Sequence, residues 1–107
     1  MGTALQSFEL QVLLAMVRLG PETYSVPLVL AIEKQAARPV APAAVFITLG
    51  RLEKKGLVSS RLDRAASNHP RRYVKLTKAG LAAVREHRAE HARMWRGLSK
   101  LLDSAKL

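Results

Sequence analysis

The sequence predicts a mainly α-helical α+β fold: three short helices, a two-stranded hairpin and one long terminal helix. Three observations predict it. Apolar residues recur at three- and four-residue spacing in three separate stretches before Gly56, as in amphipathic helices. Two strand-like runs, 57–62 and 71–76, flank a stretch, 63–70, that holds Ser67-Asn68 and His69-Pro70 as turn material. After Thr77 helical spacing returns and holds to about Asp103, interrupted only by Gly80 and Gly97.

Each element has its own warrant. Ser7 is placed to cap the first helix, in which Phe8, Val12, Met16 and Leu19 share a face that Leu13 and Val17 widen, and Gly20-Pro21 ends it. Thr23 and Tyr24, β-branched and aromatic, suit a brief pairing with the later hairpin. Ser25 is expected to cap a second helix with Pro27 tolerated in its first turn; Leu28, Val29, Ile32 and Ala36 give it a buried face, and Arg38-Pro39 closes it. The link Pro39 to Ala41 leads into a third helix, 42–55, with Pro42 near its first position. Val45, Leu49 and Leu52 form its packing side. Lys54 and Lys55 followed by Gly56 close it, as cations and a left-handed glycine do. Two short helices joined by such a link and followed by a hairpin make a winged helix-turn-helix. Residues 1–107 are expected to form a single domain, with this unit at 7–76 and a terminal helix at 77–103.

Charge points to the partner. The net charge is +10 and lies downstream: the first fifty residues balance, whereas Arg51 to Lys75 holds eight cations against Glu53 and Asp63. Such asymmetry points to a polyanion, nucleic acid first and an anionic membrane surface second. Without cysteine there is no disulfide, thiolate zinc site or cysteine nucleophile, and a cytoplasmic location is expected. The apolar run Val12 to Val17 is flanked by Gln11 and Arg18 and lacks a cleavage-type sequence, and no stretch is long enough to span a bilayer. An enzyme is not expected, because Asp63, Glu86 and Asp103 are scattered and no glycine-rich loop follows a strand. No cofactor is called for.

The residues also carry a family resemblance. FELQVLLAMVRLGPETYS in the first helix and its exit, AVFITLGRLEKKGLV around the third, and RRYVKLTKAG at the end of the hairpin together resemble the PadR-type winged-helix transcriptional regulators, in their short single-domain branch. The resemblance covers Phe8 to about Leu81. It implies a sequence-specific double-stranded DNA-binding homodimer, a repressor, paired through a long C-terminal helix that packs against the partner's first helix. Three positions depart from the pattern: Phe46 replaces the usual tyrosine, Ala41 the usual serine cap, and Gly50 lies inside the helix. Loss of the cap and the interior glycine each cost about 1 kcal/mol.

The candidate residues follow. On the third helix Ala43, Ala44, Ile47, Thr48, Arg51 and Lys55, with Phe46 at the border, are expected to meet DNA: Arg51 has the fork suited to guanine, and the small or apolar residues suit thymine methyls. A merely solvated face would carry more charge than Ala43, Ala44, Ile47 and Thr48 provide. In the wing, Asn68, His69, Arg71 and Arg72 lie near the tip and suit phosphate or minor-groove contact, against the alternative of charges that protect a hairpin edge. Alternation sends Arg71 and Arg72 to opposite sides. On the last helix Leu81, Val84, Arg88, His91, Trp95, Leu98 and Leu102 form a heptad-like seam, the expected dimer contact. Trp95 is expected to pack there, the competing reading being one wall of a pocket for a small aromatic effector. His87 and His91 lie four apart on one face, but with no cysteine and only Glu86 and Glu90 as possible further ligands a metal site is not expected. The alternative function, a basic amphipathic module for an anionic membrane surface or a protein partner, leaves the helix-turn-helix and wing unexplained.

Overall fold

A computed structural model describes residues 5–65 and 70–106. The element order is α1 (Ser7–Leu19), α2 (Ser25–Ala36), α3 (Pro42–Lys54), β1 (Val58–Asp63), β2 (Arg71–Leu76), α4 (Lys78–Trp95) and α5 (Leu98–Ser104). The core lies where the first three helices meet the base of the hairpin: Val12, Leu13 and Met16 of α1, Leu28 and Ile32 of α2, and Val45 and Leu52 of α3 pack with Leu57, Val58 and Val74. These are the residues whose helical spacing marks them as a common face.

The helix ends differ from expectation in two places. Gln6, not Ser7, precedes α1, and its N–H donates to Oε1 of Glu9 at 2.9 Å, which satisfies one of the unpaired donors of the first turn. Ser25 is the first residue of α2 rather than its cap; extended Tyr24 precedes it and supplies no side-chain cap. Ala37, with φ 55° and ψ 39°, ends α2 before Arg38-Pro39 is reached. The Glu33 carboxylate then accepts from Val40 N at 3.0 Å and fixes the turn into α3. Ala41 starts α3 without a side-chain cap, and Pro42 at its first position needs no amide partner.

The strands pair antiparallel from Val58 opposite Leu76 to Asp63 opposite Arg71, one residue beyond the start and end expected for the first strand. Thr23 adds a bridge to Val74 on the other edge of β2, through backbone bonds of 3.0 and 2.8 Å, so the brief pairing foreseen there exists. Thr77 joins three parts of the chain. Its hydroxyl donates to Gly56 O at 2.6 Å and accepts from Gly80 N at 3.0 Å, capping α4 while tying it to the turn after α3. Gly80 is buried against the Leu57 carbonyl, where a side chain has no room.

The terminal helix is not continuous. It breaks at Arg96 and Gly97, the latter at φ 79°, so the single helix expected over 77–103 is two. The chain extends 60 Å along its longest axis, as the distal part of α4 and α5 leave the core.

Candidate nucleic-acid interface

The outward face of α3 is set by what the core takes from it. Val45, Thr48 and Leu52 are buried and Ala44 and Leu49 are half-buried, which leaves Pro42, Ala43, Phe46, Ile47, Gly50, Arg51, Glu53 and Lys54 exposed. Phe46 and Ile47 are 55% and 58% exposed, while Thr48 is 4% exposed. Thr48 therefore does not share the reading face assigned to it, whereas Ala43, Phe46, Ile47 and Arg51 do lie on the exposed side. Ala44 is half-buried at the margin. Gly50 and Lys54 belong to the face and were missed. A glycine shows no hydrophobic or polar preference to place it, and Lys54 was read only as a helix-closing cation.

Lys55 sits at the edge of that face and has an internal partner. Its Nζ donates to Glu9 Oε1 at 2.8 Å, and the Glu9 side chain is only 2% exposed. Burial pushes the Glu9 carboxyl up, but the Gln6 N–H, the Lys55 ammonium and the charge of Arg51 together bring it below its ordinary value. Lys55, expected to meet DNA, thus anchors the end of α3 to α1.

The wing arginines divide as strand alternation requires. On the side away from α3, Arg71 stacks over Tyr24 with its guanidinium carbon 4.1 Å from the ring centroid, and Arg61 lies 4.6 Å from that of Tyr73. The two tyrosines meet edge to face at 5.8 Å. Arg61 also holds Glu22 through two bonds of 2.9 and 2.7 Å, and these lower the Glu22 carboxyl below its ordinary value. On the side toward α3, Arg72 Nη1 donates to Ser60 Oγ at 3.1 Å, and Ser60 Oγ donates to Glu53 Oε1 at 2.8 Å. This relay crosses from wing to α3 along the wall of a cavity of about 230 Å³ bordered by Phe46, Leu49, Gly50, Val58 and Val74. Asn68 and His69 lie outside the described residues.

A strip of exposed apolar and basic groups on one helix, flanked by a basic hairpin, is the surface by which winged helices are built to approach a duplex. The model of the PadR-like family of transcriptional regulators matches residues 13–86. The chain belongs to this family. Among solved structures it is similar to a PadR family transcriptional regulator from Eggerthella lenta, at 28% identity over 92% of this chain and 89% of that one, with a TM-score of 0.70. It is also similar to a PadR-like transcription factor from Bacteroides fragilis (21% identity, 88% of each chain, TM-score 0.74), a likeness of fold. A third similar structure is BpsR of Bordetella bronchiseptica, whose DNA binding is regulated by 6-hydroxynicotinic acid (25% identity, 89% of this chain and 68% of that one, TM-score 0.66). No match was found among curated proteins.

In this PadR-like chain the terminal seam divides in two. Leu81 and Val84 are half-buried: Val84 packs against the core, and Leu81 borders a groove with Met16, Val17 and Leu76. Arg88, His91, Trp95, Leu98 and Leu102 are exposed. His87, His91 and Trp95 stack in a row with centroid separations of 6.4 and 5.7 Å. Among the described residues no group of three or more acidic, histidine or cysteine side chains is placed to hold a metal, and no helix is long and apolar enough to cross a membrane.

Proposed function

We propose that this PadR-like regulator is a homodimeric repressor that binds sequence-specific double-stranded DNA, with α3 in the major groove and the wing on the flanking backbone. The observation that carries the reading is the α3 face itself. Ala43, Phe46, Ile47, Gly50, Arg51 and Lys54 are exposed together, beside a wing that bears Arg61, Arg71 and Arg72. Arg51 has the planar fork for guanine O6 and N7, while Lys54 and the wing arginines suit phosphates.

Dimerisation is the second half of the proposal. Met94, Trp95, Leu98, Leu101 and Leu102 are large, apolar and exposed on a helical arm that leaves the core, too concentrated to be scattered surface residues. Packing this arm and α1 against a second copy covers them and sets two recognition helices about one helical turn apart, or a multiple of it. The bend at Gly97 lets α5 follow a partner surface that a straight helix would leave.

Selection of bound fragments from random DNA, with mass measurement of the complex, tests both halves. The expected result is two half-sites bound by two chains, with affinity falling steeply as salt rises. A monomeric chain without a preferred site would overturn it. A second reading attaches to Trp95, 48% exposed and stacked on His91: such a surface between subunits suits a flat aromatic effector, and a ligand regulates the DNA binding of BpsR. Quenching of Trp95 fluorescence across a set of aromatic acids tests it, and no response from any of them counts against it.

A further inference from the structure

The recognition face is unusual in what it lacks. Over the first two turns of α3 its exposed side chains are Pro42, Ala43, Phe46 and Ile47, and none can donate or accept a hydrogen bond. Bases in the major groove offer one feature that apolar side chains read, the 5-methyl group of thymine. Phe46 and Ile47 are each more than half exposed, so their apolar area remains available to such a group.

Gly50 follows one turn later on the same face. A glycine inside a helix weakens it, and it is usually retained for a positive φ or for close packing. Neither applies: Gly50 is helical, has no positive φ, and a Cβ built on it meets nothing within 4 Å among the described residues. Gly80 shows the contrast, since a Cβ there falls on the Leu57 carbonyl. Nothing among the described residues fills the space above Gly50, so the bare position leaves α3 free to approach a ligand closely. A helix bare at this position sinks further toward the groove floor and brings Phe46 and Ile47 to the methyls.

We infer that Phe46 and Ile47 are specificity determinants for 5-methylpyrimidines, thymine in ordinary DNA, and that Gly50 is the point of closest approach between α3 and the bases. The inference rests on the DNA-binding reading above and adds to it which base feature is read. It places hydrogen-bonding recognition in the last two turns, at Arg51, and methyl recognition in the first two.

The test begins with the site selected from random DNA. It is resynthesised with deoxyuridine in place of each thymine, one position at a time, which removes the methyl and leaves the pairing edge unchanged. Affinity is expected to fall roughly fourfold for each methyl that Phe46 or Ile47 buries. Phe46→Ala and Ile47→Ala are each expected to abolish the sensitivity at their own position. Gly50→Ala is expected to raise the thermal midpoint of the free protein yet weaken the selected site far more than random DNA, a combination that a structural role does not produce. Equal binding of the uracil and thymine duplexes, or wild-type affinity in Gly50→Ala, overturns the inference while leaving DNA binding intact. Failure to select any site overturns the DNA-binding reading itself, and this inference with it.

Discussion

The ammonium of Lys55 lies 2.8 Å from Oε1 of Glu9, a carboxylate 2% exposed that also accepts from the Gln6 N–H. One ion pair thus ties the end of α3 to the first turn of α1. The buried partner is the costly one to strand: Lys55→Ala leaves Glu9 without its cation, whereas Lys55 itself is about one-third exposed and partly solvated. Lys55→Ala is expected to destabilise the fold by about 1–3 kcal/mol in urea unfolding, given that water at the lysine moderates the loss.

The same pair gives a pH dependence with a definite sign. The folded-state pKa of Glu9 lies below its ordinary 4.5 because the Gln6 N–H, Lys55 and Arg51 outweigh the opposing effect of burial. Its stabilisation is therefore complete above that ordinary value and is lost as pH falls through the lower folded value. Urea midpoints measured against pH should fall on the acid side of 4.5. Glu9→Gln should be less stable at neutral pH and lose part of that acid slope; an unchanged slope would show that other carboxyls carry it.

Gly80 and Gly50 predict opposite responses to the same substitution. Gly80→Ala drives a Cβ onto the Leu57 carbonyl and to 3.1 Å from Leu76 Cδ2, with backbone that cannot yield on one side. A loss of about 1–3 kcal/mol is expected. Gly50→Ala meets nothing and should gain about 1 kcal/mol from helix propensity. Thermal melts of the two variants should move in opposite directions from the wild type.

Ala37 ends α2 at φ 55°, a left-handed conformation that costs an L-residue about 1–2 kcal/mol and a glycine almost nothing. Ala37→Gly should therefore stabilise the protein by about 0.5–1 kcal/mol, the remainder being offset by the greater freedom of glycine in the unfolded chain. A lower melting temperature than the wild type would contradict it.

The positions of the elements were legible because glycine, proline and a capping threonine punctuate them: Gly20-Pro21, Pro42, Gly56 and Thr77 each stand at or beside an end in the structure. The orientation of α3 was harder. Thr48 is small enough to be buried, so its polarity placed it on the outer face although it packs inward, whereas Phe46 and Ile47, apolar yet exposed, lie on the side expected for them. Spacing cannot distinguish an apolar residue that joins the core from one left for a ligand. Nor could it place the partner of Lys55, which lies 46 residues away on another helix. The break at Gly97 was hidden for a related reason: Leu98 and Leu102 continue the spacing of the helix before it.

The relay from Arg72 through Ser60 to Glu53 separates two kinds of wing contribution to DNA binding. If Arg72 neutralises a phosphate, Arg72→Ala removes both an attractive charge and a released counterion, and the slope of log affinity against log salt becomes shallower by about one. Arg72 donates to Ser60 at 3.1 Å and Ser60 donates to Glu53 at 2.8 Å, and Glu53 carries a charge that DNA would repel. Ser60 thus engages the Glu53 carboxylate and positions the Arg72 guanidinium. Ser60→Ala should weaken binding about fivefold, the worth of roughly 1 kcal/mol from one hydrogen bond, without changing the salt slope, since every charge remains. Glu53→Gln retains an acceptor for Ser60 but removes the repulsion, so its affinity should equal or exceed the wild type. A loss in Glu53→Gln as large as that in Ser60→Ala would mean that the charge of Glu53, and not its hydrogen bond, positions the wing.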